Sequence, residues 1–544
     1  MNKSILALAT AAALALGATA EAADLRLINL DAPGVGLNNT TPATPVGGNY
    51  GRTRGEQALI VYRYALAMWG GMLESNVEVR VNASFAPLAC TPTSGTLASA
   101  GTTRLFGLTN EDGVTRWHNS ALADSLVAFD LQPYFGIPAT EADINSRFNG
   151  NLGLPGCLEG SSWYFGLDGK TPAGATNFLN VVMHEVGHGL GVQGFLNTTT
   201  GSLNGGRSDT YTRRAYDNVL NLPFEQMDNA QRSLALRTPG RTVWTGTQVN
   251  QQARLIMDNR VALRMSAPAA LAGKFYEVGY ANFGTFATAS TFPNRDMVLV
   301  NDGVGATADG CELPFVNASA LAGKIAIIDR GTCGFSVKVK NAQDSGAAAV
   351  LIANNAAGVI DMGLTAGFTP TIPSVMISLA DANEVKANLA GAAGGLATSP
   401  LLAGLDSAGR TRLYTPATVA PGSTYSHFDT SLTPNALMEP FNTASLQAQV
   451  VVDLTPALFA DIGWRLNPAN TKIGTCDTGV DAVGDGGIVL GANVSAHYAM
   501  CKAQYPGSKL MYTKCMSDHG TSLRNSGLIS STQHMKIVQC ASYN

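Results

Sequence analysis

The chain has 544 residues, roughly three to four times the length of a typical single domain, so several folding units are expected. Hydrophobic residues make up 45% and charged residues 14%, which excludes both a disordered chain and a coiled coil. A net charge of −4 gives no basic face for nucleic acid, and no apolar run beyond the N-terminus is long enough to cross a bilayer.

Met1-Asn2-Lys3, followed by an Ala/Leu run from Ile5 to about Ala18, has the charged-then-apolar order of a secretory leader. Ala20-Glu21-Ala22 supplies the small-residue cleavage site, so residues 1–22 are expected to be removed and Ala23 to begin the mature chain. The expected destination is extracellular, or periplasmic in transit, by bacterial export and without membrane insertion of the mature form. An oxidising compartment makes the even count of eight cysteines a disulfide framework. Their spacing groups Cys90 with Cys157, Cys311 with Cys333, and then Cys476, Cys501, Cys515 and Cys540, whose three pairings stay open. No CxxC occurs, so these are staples rather than zinc ligands.

In chain order, Val61 to Leu73 reads as an amphipathic helix and Val77 to Val81 alternates as a half-buried strand. The segments from Pro33 to Gly51 and from Thr91 to Thr103 are loops by composition. Asn177 to Leu190 reads as a buried helix. Residues 206–265 look helical and more polar. From about 270 to 400, short β-rich runs (Met297–Val300, Lys324–Ile328, Ala348–Ile352) alternate with Ala-rich helical ones, the pattern of a small α/β unit. Gly394 to Gly422, rich in Gly, Pro and Ser, reads as a linker. Residues 423–466 end in a predicted helix, Thr455–Ile462, and the tail, 470–544, reads as a separate stapled helical module.

The chemistry concentrates in His184-Glu185-Val186-Gly187-His188. On a helix, positions i and i+4 share a face, so both imidazoles can reach one metal ion. Glu185 is placed to take a proton from water that zinc has made acidic, which completes a hydrolytic site. A catalytic zinc usually takes three protein ligands. Gly191 extends the run to HExxHxxG, as in metzincins, but the position of the usual third histidine is Gly194. Of the remaining histidines, His118 precedes the motif, and His497, His519 and His534 lie in the tail. His427, in Ser426-His427-Phe428-Asp429, is the best candidate, because Met438 follows it in a segment that fits a Met-turn. Glu225 is the rival, with no supporting pattern around it.

HEVGHGLG, then SHFDTSLTPNALMEP, then LTPALFADIGW resembles the leishmanolysin branch of the metzincins. The resemblance implies that His184, His188 and His427 bind one Zn2+, that Glu185 is the catalytic base and that Met438 is the Met-turn residue. It also implies an insertion ahead of the third histidine, here large enough to hold a domain. The run from Cys311 to Asn355, with Ile372-Pro373-Ser374-Val375-Met376-Ile377-Ser378, resembles a protease-associated (PA) domain and implies a Cys311–Cys333 disulfide. The expected fold is therefore α+β. A metzincin-like zincin domain (23–269 and 415–466) is interrupted by a small α/β PA domain (270–400) and followed by the stapled module (470–544). The expected activity is that of a secreted zinc metalloendopeptidase acting on proteins or peptides. A non-catalytic surface or matrix-binding protein on a zincin scaffold is the alternative, and an exopeptidase a second. Calcium is open but unsupported.

Overall fold

The computed structural model describes residues 22–443, 445–467, 471–480, 483–484, 488–489, 494–525 and 527–544. The expected leader lies, but for Ala22, outside them. The chain divides into two compact units, one formed by residues 1–193 with 442–544 and the other by residues 194–441.

The first unit is built on a four-stranded sheet, in the order Leu25–Asn29, Val79–Ala86, Ile144–Asn149, Ala98–Thr102. The first three strands run parallel and the last is an antiparallel edge strand. Val79 and Val81 alternate inward as the sequence predicted, but the strand runs on to Ala86, with Ala83 also inward, and leaves out Val77. The predicted 61–73 helix spans Arg54–Met72. It starts earlier because Thr53 and Glu56 form a capping box that satisfies backbone N–H groups at the helix start. Against it lies the motif helix, Phe178–Leu190, with Trp69 Nε1 donating to the Met183 carbonyl at 3.0 Å. Phe178 packs among Phe148, Trp163 and Phe165 with ring centres 5.0–5.2 Å apart, and burying each such ring stabilises the fold by about 2 kcal/mol. The helix Thr455–Ile462 forms where predicted; Phe459 meets Trp69, and Trp464 Nε1 donates to the Leu190 carbonyl at 2.8 Å.

The tail is helical and stapled, as expected, with helices Val494–Gln504, Lys509–Asn525 and Ser531–Tyr543. Its bridges are Cys476–Cys540 and Cys501–Cys515. It belongs to the first unit, tied to the long helix by Tyr64 OH and His497 Nδ1 at 2.9 Å. Cys90–Cys157 and Cys311–Cys333 pair as the spacing grouped them. Among the described residues, no helix is long and apolar enough to cross a membrane.

The second unit carries an eight-stranded sheet whose strands Arg295–Leu299, Ile325–Asp329, Ala349–Ala353 and Ser374–Ile377 are parallel. Alternate side chains of these strands feed two apolar cores, one around Leu351 and Ile327 and one around Val350 and Ile328. Two sequence expectations fail here. Ala393–Leu402, at the head of the expected linker, is a strand paired antiparallel with Asn259–Ala267. Its Gly394 and Gly395 serve close packing, since a Cβ on Gly395 would collide with the backbone of Asn294 and Pro293. Residues 206–265 are not mainly helical. They hold short 3-10 turns, a three-stranded sheet (Leu222–Pro223, Ala215–Asp217, Thr242–Trp244), two helices and the start of a long strand.

Replacing Cys476 and Cys540 together by serine removes a cross-link between residues 64 apart in sequence, and should lower unfolding free energy by about 4 kcal/mol. Replacing Cys501 and Cys515, 14 apart, should cost about 3 kcal/mol. Urea titration of the oxidised variants checks both values and their order.

Candidate metal centre

Asn177 caps the motif helix, accepting from the Asn180 backbone N–H at 3.2 Å. Asn180 itself clamps the chain at 446–448, donating to the Leu446 carbonyl at 3.0 Å and accepting from the Ala448 N–H at 3.1 Å. The clamp and the aromatic cluster fix the turn that carries His184, Glu185 and His188. The two imidazoles meet at nearly right angles, with ring centres 4.7 Å apart and Nε2 atoms 3.0 Å apart. Two nitrogens sharing a tetrahedral zinc stand about 3.3 Å apart, so the pair fits that ion. His188 Nδ1 donates to the Val192 carbonyl at 2.6 Å, which puts the proton on Nδ1 and leaves the lone pair on Nε2, where a metal could take it. Burial, and then the neighbouring His184, push the His188 pKa down to about 3, against the Val192 bond, so the ring is neutral.

Glu185 is buried, and burial pushes its pKa up to about 8, opposed by a backbone hydrogen bond with Ala100 of the edge strand. Its Oε2 has no hydrogen-bond partner among the described residues. A buried carboxylate oxygen in that state calls for water or a cation, and a divalent ion beside it would restore its charge. The Ala100 contact and the Asn180 clamp were not read from the sequence. An Asn at the first turn of an HExxH helix was the available signal for the clamp.

Gly191 ends the helix at a φ of 131°, and a Cβ there would collide with Ile462 and Asn119. Gly194, where the usual metzincin histidine would stand, has a physical reason to be glycine. A Cβ on it would run into the Tyr425 ring. Tyr425 holds a left-handed φ of 78°, with its carbonyl accepting from Tyr211 OH at 2.9 Å and its ring stacked on Phe224.

In the second unit, His427 and Met438 share one strap. His427 is 4% exposed and its Nδ1 donates to the Ser423 carbonyl at 2.8 Å, which puts the proton on Nδ1 and the lone pair on Nε2. The Phe428 N–H donates to the Met438 carbonyl at 2.9 Å. Glu439 closes the turn by accepting from the Ala436 N–H and from Asn435 Nδ2, and Met438 is fully buried. Glu225, on a 3-10 turn, joins none of the groups able to hold a metal among the described residues. His118 donates to the Arg116 carbonyl and His534 to that of Ser517. His497 stacks on His519 at 3.7 Å; the cysteines beside His497, Cys501 and Cys515, are bonded to each other and offer no thiolate.

Residues 296–385 match the PA domain family, so this part of the chain is a PA domain. No curated protein matches the chain. Among solved structures, a zinc aminopeptidase from Bacillus subtilis matches at 22% identity and a TM-score of 0.19, over 28% of this chain and 36% of that one. An aminopeptidase from Aneurinibacillus sp. strain AM-1 matches at 22% identity and a TM-score of 0.19, over 28% and 38%. A peptidase M28 precursor from Shewanella amazonensis matches at 16% identity and a TM-score of 0.19, over 27% and 39%. The chain thus spans little more than a third of the length of these proteins. Likeness at that TM-score carries no argument about the fold or chemistry of this chain.

Gly194→Ala should destabilise the protein by about 1–3 kcal/mol, the usual cost of overpacking, read as a lowered melting temperature. Acid should act on the tail. Burial pushes His519 down to about 3, and burial with the neighbouring His519 pushes His497 well below 6.5. The unfolded chain therefore binds protons first, and the stability these groups contribute is full above 6.5 and lost as pH falls below it. Melting temperature should drop between about pH 7 and about pH 5, and drop less in His519→Leu.

Proposed function

We propose that this protein is a secreted, zinc-dependent metalloendopeptidase of the leishmanolysin-like metzincin type, with His184, His188 and His427 as the ligands and Glu185 as the catalytic base. The observation that carries the reading is the pair of Nε2 atoms 3.0 Å apart, beside a buried carboxylate with an unpartnered oxygen. For His427, support comes from the Met-turn hydrogen bonds and from a short tether. Five residues lie between His188 and Gly194, whose N–H donates to Ser426 Oγ at 3.2 Å, next to His427. The four disulfides and the leader-like N-terminus support secretion.

Zinc bound there would supply a Lewis acid that lowers the pKa of water and polarises the scissile carbonyl. Glu185 takes the proton of the attacking water and passes it to the departing amine. The edge strand Ala98–Thr102 pairs on one side only among the described residues, so an extended substrate can add to its other side by main-chain hydrogen bonds. A peptide laid along a strand edge is cut internally, which favours an endopeptidase. A binding protein would have no use for the Glu185 carboxylate.

Casein hydrolysis by the purified protein tests this. Glu185→Ala should lower the rate by about 100-fold or more while zinc stays bound, and His427→Ala should lose both zinc and activity. Release of single amino acids from short peptides, with casein left intact, would contradict the endopeptidase reading.

A further inference from the structure

The strap that carries His427 hangs on residues 411–413, whose Arg412 side chain is locked onto the large sheet of the second unit. Glu277 lies in the two-residue link between Phe275–Tyr276 and Gly279–Tyr280, the two edge strands of that sheet. Arg412 donates to both Glu277 oxygens, with Nη2 to Oε2 at 2.8 Å, and Arg260 from the strand Asn259–Ala267 approaches the same carboxylate at 3.1 Å. Both partners of the Glu277–Arg412 pair are largely buried. A bidentate guanidinium–carboxylate pair fixes angle as well as distance.

From Arg412 the backbone leads directly to the strap. The Arg412 carbonyl accepts from the Asp429 N–H at 3.1 Å, Leu413 bridges Phe428, and the Tyr414 N–H donates to the His427 carbonyl at 2.9 Å. His427 is thus one hydrogen bond and two residues from a side chain anchored in the sheet that holds the PA domain. We propose that the Glu277–Arg412 pair is a positioning device for the third metal ligand, so that the inserted domain sets zinc affinity through it. This rests on the reading of His427 as a zinc ligand.

The test uses the full chain and two readouts, the zinc dissociation constant by chelator competition and the d–d spectrum of the cobalt-substituted protein. Glu277→Gln keeps the shape and removes the charge; zinc should be held about tenfold more weakly and the cobalt bands should shift, as when an orienting residue behind a ligand is lost. Lys386→Gln, which breaks the 2.9 Å Lys386–Asp329 pair of the same unit, should keep wild-type affinity. Wild-type zinc affinity and spectrum in folded Glu277→Gln, or equal weakening in Lys386→Gln, overturns the inference even when His427→Ala loses zinc. Normal zinc binding by His427→Ala overturns the underlying reading instead. Should Glu277→Gln fail to fold, Arg412→Lys, which keeps the charge and loses the fork, takes its place with the same outcomes.

Discussion

The approach of two imidazole nitrogens to 3.0 Å inside a packed helix is the constraint around which the first unit is arranged. Two such rings cannot both carry a second proton; burial pushes His188 to its neutral form, which is the form a metal takes. The surrounding contacts all oppose rotation or sliding of that turn. Trp69 and Trp464 donate to its carbonyls, Asn180 pins its first turn, and Phe178 anchors it among four other rings. Glu185 then sits with one oxygen unpartnered beside the edge strand, a costly arrangement unless something polar arrives.

The second unit has a parallel logic. Tyr425 fills the space that a side chain at Gly194 would need, so no histidine can stand there, and the proposed third ligand, His427, comes from later in the chain. His427 comes from a strap whose backbone bonds to Tyr414 and, through Phe428, to Met438, while its imidazole Nδ1 donates to the Ser423 carbonyl. The strap follows a strand that leaves the large sheet, which makes the insertion part of the mechanical support of His427 rather than an appendage.

The helix that bears HExxH was more legible in the sequence than the architecture around it. Its pattern is local, and the i, i+4 spacing puts both imidazoles on one face. Thr455–Ile462 was equally readable, with Pro456 at its start and Gly463 at its end. What escaped was non-local. Gly394 and Gly395 read as flexibility, whereas close packing requires them, Gly394 against the Arg264 carbonyl and Gly395 against Pro293 and Asn294. The tail pairing joins Cys476, on the short strand Cys476–Asp477, to Cys540 on the last helix, a contact that spacing does not encode. Glu277 and Arg412, 135 residues apart, are ordinary surface residues by composition and meet only in the folded unit.

The central claim is a three-histidine zinc shell completed by a residue far along the chain. X-ray absorption at the zinc edge of the purified wild-type protein reads that shell directly. The account predicts three imidazoles and one oxygen at about 2.0–2.1 Å. Two imidazoles only, or any sulfur scatterer, would contradict it.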